Sequence, residues 1–144
     1  MLRLENVNQY YGESHTLWDI NVEIKPGSCV CLMGRNGVGK TTLLKTVMGL
    51  VPLRSGEIIF DGHQIGKQIA EVRSRIGIGY VPQGREIFPQ LTVQENLQIG
   101  LTSRKDKSRQ IPERIFELFP VLKQMLSRRR GDLSVRQQKQ MTIG

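Results

Sequence analysis

The first half of the chain alternates apolar and polar positions in short stretches, a pattern typical of β-strands that bury one face. Residues 2–8 and 17–24 follow this pattern, and the turn-rich residues 10–14 between them predict an antiparallel pair. Further apolar runs predict strands at 28–33, 57–60 and 76–81. The first of these runs is continuous, which is typical of a strand buried on both faces.

The second half of the chain follows helical spacing instead. Thr92 and Glu95 stand three residues apart, as in a capping box, and predict a helix over 93–100. Apolar residues recur at helical spacing over 111–125, where Pro120 predicts a division into two short helices. In the first half, short helices are predicted over 41–48 and 67–75.

A glycine-rich segment lies between the predicted strand at 28–33 and the predicted helix at 41–48. Residues 34–41 read Gly-Arg-Asn-Gly-Val-Gly-Lys-Thr, which is the P-loop pattern G-x-x-x-x-G-K-[ST]. The glycines let the backbone turn tightly and bring its N–H groups onto phosphate oxygens. Lys40 can reach the β- and γ-phosphates, and the Thr41 hydroxyl can ligate Mg²⁺. The sequence therefore predicts binding of a nucleoside triphosphate with Mg²⁺.

Composition limits the classes of partner. The chain has 144 residues and a formal net charge of +8, from 21 basic and 13 acidic residues. No aromatic residues interleave the basic runs at 104–109 and 128–130, so we predict solvated charge and no direct binding of nucleic acid. No stretch approaches the roughly 20 apolar residues of a membrane-spanning helix. Cys29 and Cys31 lie on the predicted buried strand and are predicted to be buried, reduced thiols, which agrees with a cytosolic protein.

A second motif narrows the P-loop class. Residues 80–97 read Tyr-Val-Pro-Gln-Gly-Arg-Glu-Ile-Phe-Pro-Gln-Leu-Thr-Val-Gln-Glu-Asn-Leu, which resembles the Q-loop region of ABC transporter ATPases. The resemblance covers the entire chain, and the two motifs at this spacing are specific to that family. The segments at 34–42, 80–89 and 116–123 are most similar to importer subunits for branched-chain amino acids and urea. Residues 8–12 and Gln83 favour the urea type.

This resemblance implies an α/β fold, a truncated P-loop NTPase lobe of the ABC ATPase type with an antiparallel β flank and the start of a helical subdomain. It assigns an incomplete nucleotide-binding core to residues 1–88. Residues 89–144 would begin the helical subdomain and carry an altered signature motif. Two such subunits, identical or different, would sandwich ATP and drive membrane permease subunits from the cytoplasmic face of the cell membrane.

Individual residue roles follow from the same resemblance. Tyr11 occupies the aromatic position that stacks on adenine, with Tyr10 as a less favoured substitute. Gln83 is the Q-loop glutamine and the predicted catalytic residue, since its amide oxygen can reach Mg²⁺ or the attacking water. Thr41 and Gln83 are therefore the predicted Mg²⁺ ligands. The residues assigned to ATP are Tyr11, Gly34, Asn36, Gly37, Val38, Gly39, Lys40, Thr41 and Thr42.

One segment departs from the family pattern. Residues 132–138 read Asp-Leu-Ser-Val-Arg-Gln-Gln where the family carries Leu-Ser-Gly-Gly-Gln. The paired glycines of that signature let the backbone approach the γ-phosphate held by the opposite subunit. Val135 adds a branched Cβ at this place, and Arg136 adds bulk together with a positive charge. We expect the nucleotide sandwich to close poorly.

The sequence as it stands reaches Gly144 inside the signature helix. In the family, the segment that follows carries an Asp that supports Mg²⁺, a catalytic Glu and a His that senses the γ-phosphate, and the sequence as it stands does not include them. We therefore expect ATP binding with little hydrolysis, because phosphoryl transfer needs such positioning and charge stabilisation. An importer ATP-binding subunit is the favoured interpretation. Two others stay open, a non-transport ABC protein acting on nucleic acid or ribosomes and a non-catalytic remnant that occupies a membrane partner.

Overall fold

The computed structural model describes residues 1–83, 88–103, 108, 110–129 and 133–143. The chain divides into two compact units, Met1–Gly79 and Tyr80–Gly144, which are called here the first and the second unit. The domain boundary predicted after residue 88 stays a prediction. Residues 84–87, 104–107, 109, 130–132 and 144 lie outside the described residues, so the second motif, both basic runs and the altered signature are described only in part.

An antiparallel sheet forms the frame of the first unit. Its strand order is β2-β1-β3-β4, and every neighbouring pair is antiparallel. The predicted hairpin is confirmed and is longer than expected, as is the strand predicted at 57–60. The strands are β1 (Leu2–Tyr11), β2 (Ser14–Ile24), β3 (Ser55–Phe60) and β4 (His63–Gln64), and the helices of this unit are α1 (Lys40–Met48) and α2 (Ala70–Arg75).

A bulge in β1 explains how this strand feeds the core. Leu4 and Val7 are both buried, although residues three apart point to opposite faces of a regular strand. The pairing register of β1 with β2 shifts between these two residues, and Asn6 has a left-handed φ of 48°. The extra residue returns Val7 to the core face, where it packs in one cluster with Leu17 and Ile58.

Two predicted strands do not form, and these predictions were wrong. Residues 28–33 and 76–81 have no regular secondary structure, and Cys29 and Cys31 are exposed instead of buried. Met33 is 83% exposed. A strand needs neighbours for its backbone N–H and C=O groups, and the described part of the first unit offers no strand that pairs with either run. An apolar run can enter a sheet, but it becomes a strand only where another strand is available to pair with its backbone.

The regular elements described in the second unit are helices. The predicted capping box at Thr92 and the helix break at Pro120 are both confirmed. The apolar stripe packs as a core around Val93, Leu97 and Leu122, as its spacing predicts. Among the helices of the described residues, none has the length and hydropathy of a membrane span. The elements are α3 (Val93–Gly100), a 3-10 turn (Leu101–Ser103), α4 (Glu113–Leu118), α5 (Pro120–Gln124) and α6 (Val135–Ile143).

Candidate nucleotide-binding site

The glycine-rich loop ends in a tight approach to β2. Gly39 has a left-handed φ of 95°, which side chains rarely adopt. A Cβ on Gly39 would lie 3.0 Å from Cδ2 of Leu17 and 3.2 Å from the carbonyl oxygen of Thr16. Gly37 has a φ of 83° and meets no such obstacle, so its glycine serves conformation alone. The loop therefore needs glycine at position 39 for both its turn and its packing.

Helix α1 begins directly after this loop. Its N-cap is Gly39, which has no side chain to accept a hydrogen bond, and its first turn carries no acidic residue. The N–H groups at this helix start therefore lack a side-chain cap, an arrangement that favours anions such as phosphate. Thr41, the predicted Mg²⁺ ligand, is exposed beside them, and Thr42 is half-buried.

Lys40 reaches back over the loop from the first position of α1. Its Nζ donates to the carbonyl oxygen of Gly34 at 2.7 Å and to that of Arg35 at 2.5 Å. These bonds hold the ammonium group against the loop backbone. The three predicted phosphate-binding features, the loop, the lysine and the helix start, thus lie on one continuous stretch of the first unit.

The two candidate aromatic residues differ in their surroundings. Tyr10 stacks on the ring of His15 at a centroid distance of 4.0 Å, and His15 stacks on Trp18 at 3.6 Å. Tyr11 ends β1 opposite Ser14, is 49% exposed and makes no ring contact within the described chain. The ring of Tyr11 is therefore available to a base while that of Tyr10 is engaged, and the adenine-stacking role of Tyr11 stays a prediction.

Gln83 belongs to the second unit and is exposed outside any helix or strand. Its catalytic and Mg²⁺-binding roles stay predictions. Among the described residues, no group of three or more His, Cys, Asp or Glu side chains could hold a metal ion. The predicted donors, the Thr41 hydroxyl and the Gln83 amide oxygen, are neutral oxygen ligands of the kind that suit Mg²⁺. Mg²⁺ takes oxygen ligands, and in nucleotide sites these include the phosphates.

Sequence reasoning missed a set of hydrogen bonds, called here the Asn96 clamp, that holds the backbone of residues 88–92. The Oδ1 of Asn96 accepts from the N–H of Phe88 at 2.9 Å, and its Nδ2 donates to the carbonyl oxygens of Phe88 at 3.1 Å and Thr92 at 2.9 Å. One amide side chain thus fixes the backbone before α3. The adjacent capping box lowers the pKa of the Glu95 carboxyl, chiefly through the N–H that Thr92 donates to it. The Asn in the quoted motif was the only signal for this clamp.

The altered signature also forms a capping box. The N–H of Ser134 donates to Oε1 of Gln137 at 2.8 Å, and the N–H of Gln137 donates to Oγ of Ser134 at 3.3 Å. The side chains of Ser134 and Gln137 therefore bond to each other's backbone. Val135 is 63% exposed and Arg136 is exposed as well. Both substituted residues thus face outward at the start of α6.

A buried arginine supports the other end of α1. Arg73 in α2 is 2% exposed, and its guanidinium donates to the carbonyl oxygens of Thr46 at 2.8 Å and Val47 at 2.7 Å in the last turn of α1. Burial lowers the pKa of this guanidinium. Sequence reasoning missed Arg73, because a single arginine in a short polar stretch carries no signal that it is buried.

The loop and helix start define this chain as a P-loop nucleotide-binding protein, and comparison with known proteins identifies its family. A family model described as ABC transporter matches residues 17–144. The chain belongs to the ABC transporter family, in the class of its ATP-binding subunits.

Curated relatives agree with this assignment. A high-affinity branched-chain amino acid transport ATP-binding protein of Pseudomonas aeruginosa is 39% identical over 146 residues, covering 100% of this chain and 62% of the relative. A probable branched-chain amino acid transport ATP-binding protein of Archaeoglobus fulgidus is 37% identical over 135 residues, covering 93% of this chain and 57% of the relative. The chain thus spans about three fifths of the length of these relatives.

Solved structures confirm the predicted fold class. An ATP-binding cassette of an ABC transporter superposes with a TM-score of 0.81 at 27% identity, covering 99% of this chain and 62% of that cassette. A dimeric cassette in a post-hydrolysis state, bound to ADP and Pi, also gives a TM-score of 0.81 at 26% identity, covering 99% of this chain and 67% of that one. The described chain is therefore part of a P-loop NTPase cassette.

Proposed function

We propose that this chain binds MgATP as part of an ABC importer subunit that couples ATP binding and hydrolysis to solute uptake. The observation that carries the proposal is the start of α1, which has no side-chain cap and directly follows a loop in which Gly37 and Gly39 have left-handed φ values. The ammonium group of Lys40 is hydrogen-bonded to the backbone of the same loop. This arrangement suits the phosphates of a nucleotide, and the exposed ring of Tyr11 suits its base. The assignment to an importer is supported by the names of the relatives.

The candidate solutes are branched-chain amino acids and urea. The names of the two branched-chain amino acid relatives support the first, whereas the urea type is supported by the segment at 8–12 and by Gln83 alone. A solute would contact the membrane subunits and their binding protein rather than this chain. Transport assays with the two solutes in a strain that lacks this gene would distinguish them.

The proposed assembly pairs this subunit with a second ABC ATPase subunit and with membrane permease subunits, on the cytoplasmic face of the membrane. The dimeric state of one structural neighbour supports pairing. Co-purification with membranes is the expected result. Co-purification with nucleic acid or ribosomes would instead favour a non-transport ABC protein.

Hydrolysis by this chain is proposed to be slow. Val135 and Arg136 stand where the family signature has glycines, and the neighbouring Ser134 and Gln137 side chains are engaged in a capping box. A branched and a long side chain at this place would keep a partner's phosphate away from the backbone of α6. Bound ATP would then persist.

Binding of a fluorescent ATP analogue with Mg²⁺ tests the first part of this proposal. Lys40→Ala removes the ammonium group that is held over the loop, so affinity is expected to fall by roughly tenfold or more. Lys45→Ala removes a charge from the last turn of the same helix and is the matched control. Equal affinity of the Lys40→Ala and Lys45→Ala chains would contradict nucleotide binding at this loop. Rapid turnover that Lys40→Ala abolishes would contradict only the slow hydrolysis.

A further inference from the structure

Arg73 is a buried cation to which the proposed function assigns no part. It is 2% exposed, and within the described ranges no carboxylate pairs with it. Its acceptors are backbone carbonyl oxygens on two segments. Nη1 donates to Thr46 and Val47 at 2.8 and 2.7 Å, Nε donates to Gln68 at 2.9 Å, and Nη2 donates to Gly66 at 2.9 Å.

The electrostatics of this arrangement favour a cation at this place. Carbonyl groups in the last turn of a helix lack intrahelical partners and carry the negative end of the helix dipole. The guanidinium of Arg73 takes two of these carbonyls in α1 and two more before α2. Burying a charge is costly unless it is hydrogen-bonded, so a residue needed only to fill space would be apolar. The planar fork of arginine can serve both segments at once.

A glycine, Gly49, lies directly against the side chain of Arg73. Gly49 follows α1 with a left-handed φ of 79°, and a Cβ there would lie 2.9 Å from Nε of Arg73 and 3.1 Å from the carbonyl oxygen of Gln68. Thr46 is fully buried, and its hydroxyl donates to the carbonyl oxygen of Thr42 at 2.8 Å. The last turn of α1 is thus held from inside the helix and from α2.

We propose that Arg73 is a positioning residue for nucleotide binding, an inference that rests on the proposed function. Arg73 contacts the C-terminal end of α1, whereas the proposed phosphate site lies at the N-terminal end. By tying that end to residues 66–75, it fixes the direction in which the first-turn N–H groups point and makes the two segments rigid together. Preorganised donors bind more tightly, because less ordering remains to be done when the ligand arrives.

Two variants at this position and one control test the proposal. Arg73→Gln removes the charge, Arg73→Lys keeps it without the fork, and Arg75→Gln removes an exposed charge from the same helix, where Arg75 pairs with Glu71. MgATP affinity is measured under conditions where urea titration shows each chain fully folded. Arg73→Gln is expected to weaken affinity roughly tenfold, Arg73→Lys by less, and Arg75→Gln by under about twofold. A lower unfolding midpoint with unchanged affinity of the folded Arg73→Gln chain would overturn the inference.

Hydrogen exchange on the unaltered chain tests the same inference without a variant. Bound MgATP is expected to slow exchange in α1 and in residues 66–75 together, because Arg73 joins them. Slower exchange in α1 with no change in residues 66–75 would overturn the inference and leave the proposed function standing. Absence of any MgATP binding by the unaltered chain would overturn both.

Discussion

At the scale of single residues, Gly39 carries two requirements that sequence motifs describe only as loop flexibility. Its φ of 95° is one that side chains rarely adopt, and a Cβ there would lie 3.0 Å from Cδ2 of Leu17, so the leucine side chain would have to shift. A P-loop glycine thus also serves as a packing position between loop and sheet. The conformational and the steric costs both belong to the folded state.

Gly39→Ala is therefore expected to lower the free energy of unfolding by about 1–3 kcal/mol, through a strained φ and the displacement of Leu17. Urea unfolding measures this change. Gly79→Ala is the control, because its φ lies outside the left-handed range and no atom lies within 4 Å of the added Cβ. Equal unfolding midpoints for the two variants would show that the loop relaxes at no cost.

At the scale of elements, the sequence correctly predicted features that depend on interactions between nearby residues. The capping box of α3, the proline at the start of α5 and the hairpin of β1 and β2 depend on neighbours within a few residues, and all three formed. The runs at 28–33 and 76–81 needed partners distant in sequence, which hydrophobicity does not reveal. The contacts of Arg73 cross up to 27 residues and had no local signal either.

The capping box of α3 makes a prediction about pH. The N–H that Thr92 donates lowers the pKa of the Glu95 carboxyl below its ordinary 4.5, so its ionised form stabilises the folded chain. This contribution is complete above the unfolded pKa and is lost as pH falls through the lower folded pKa. Unfolding midpoints are therefore expected to fall on acidification below about pH 4.5.

Glu95→Gln isolates this contribution. The variant keeps a side-chain oxygen for the N–H of Thr92 but cannot titrate, so the acid-dependent loss should be smaller than in the unaltered chain. Glu117→Gln is the control, since it removes an exposed carboxylate from another helix of the same unit. An identical acid dependence in all three chains would contradict a role for the capping box in the pH response.

At the scale of the whole molecule, the P-loop and the altered signature segment occur in one chain, and the proposed assembly of two subunits would use both. The structure shows residues 133–138 as a capped helix start with Val135 and Arg136 exposed. The capping bonds stabilise the start of the helix, while the two exposed side chains hinder close approach of another molecule to its backbone. In the proposed assembly, stability of α6 and close approach to a partner's phosphate would therefore make opposite demands on positions 135 and 136.

A variant with glycine at both positions tests whether helix stability and close approach of a partner conflict. The double variant Val135→Gly/Arg136→Gly is expected to lose up to about 1 kcal/mol of stability per glycine, because glycine lowers helix propensity. It should gain self-association in the presence of Mg²⁺ and a non-hydrolysable ATP analogue, measured by sedimentation velocity, because the backbone of α6 could then approach a partner's phosphate. The single variants divide the gain between the Val135 branch and the Arg136 charge. Equal association of the unaltered and double-variant chains, with Lys40→Ala as the baseline without nucleotide, would show that these two side chains do not limit closure.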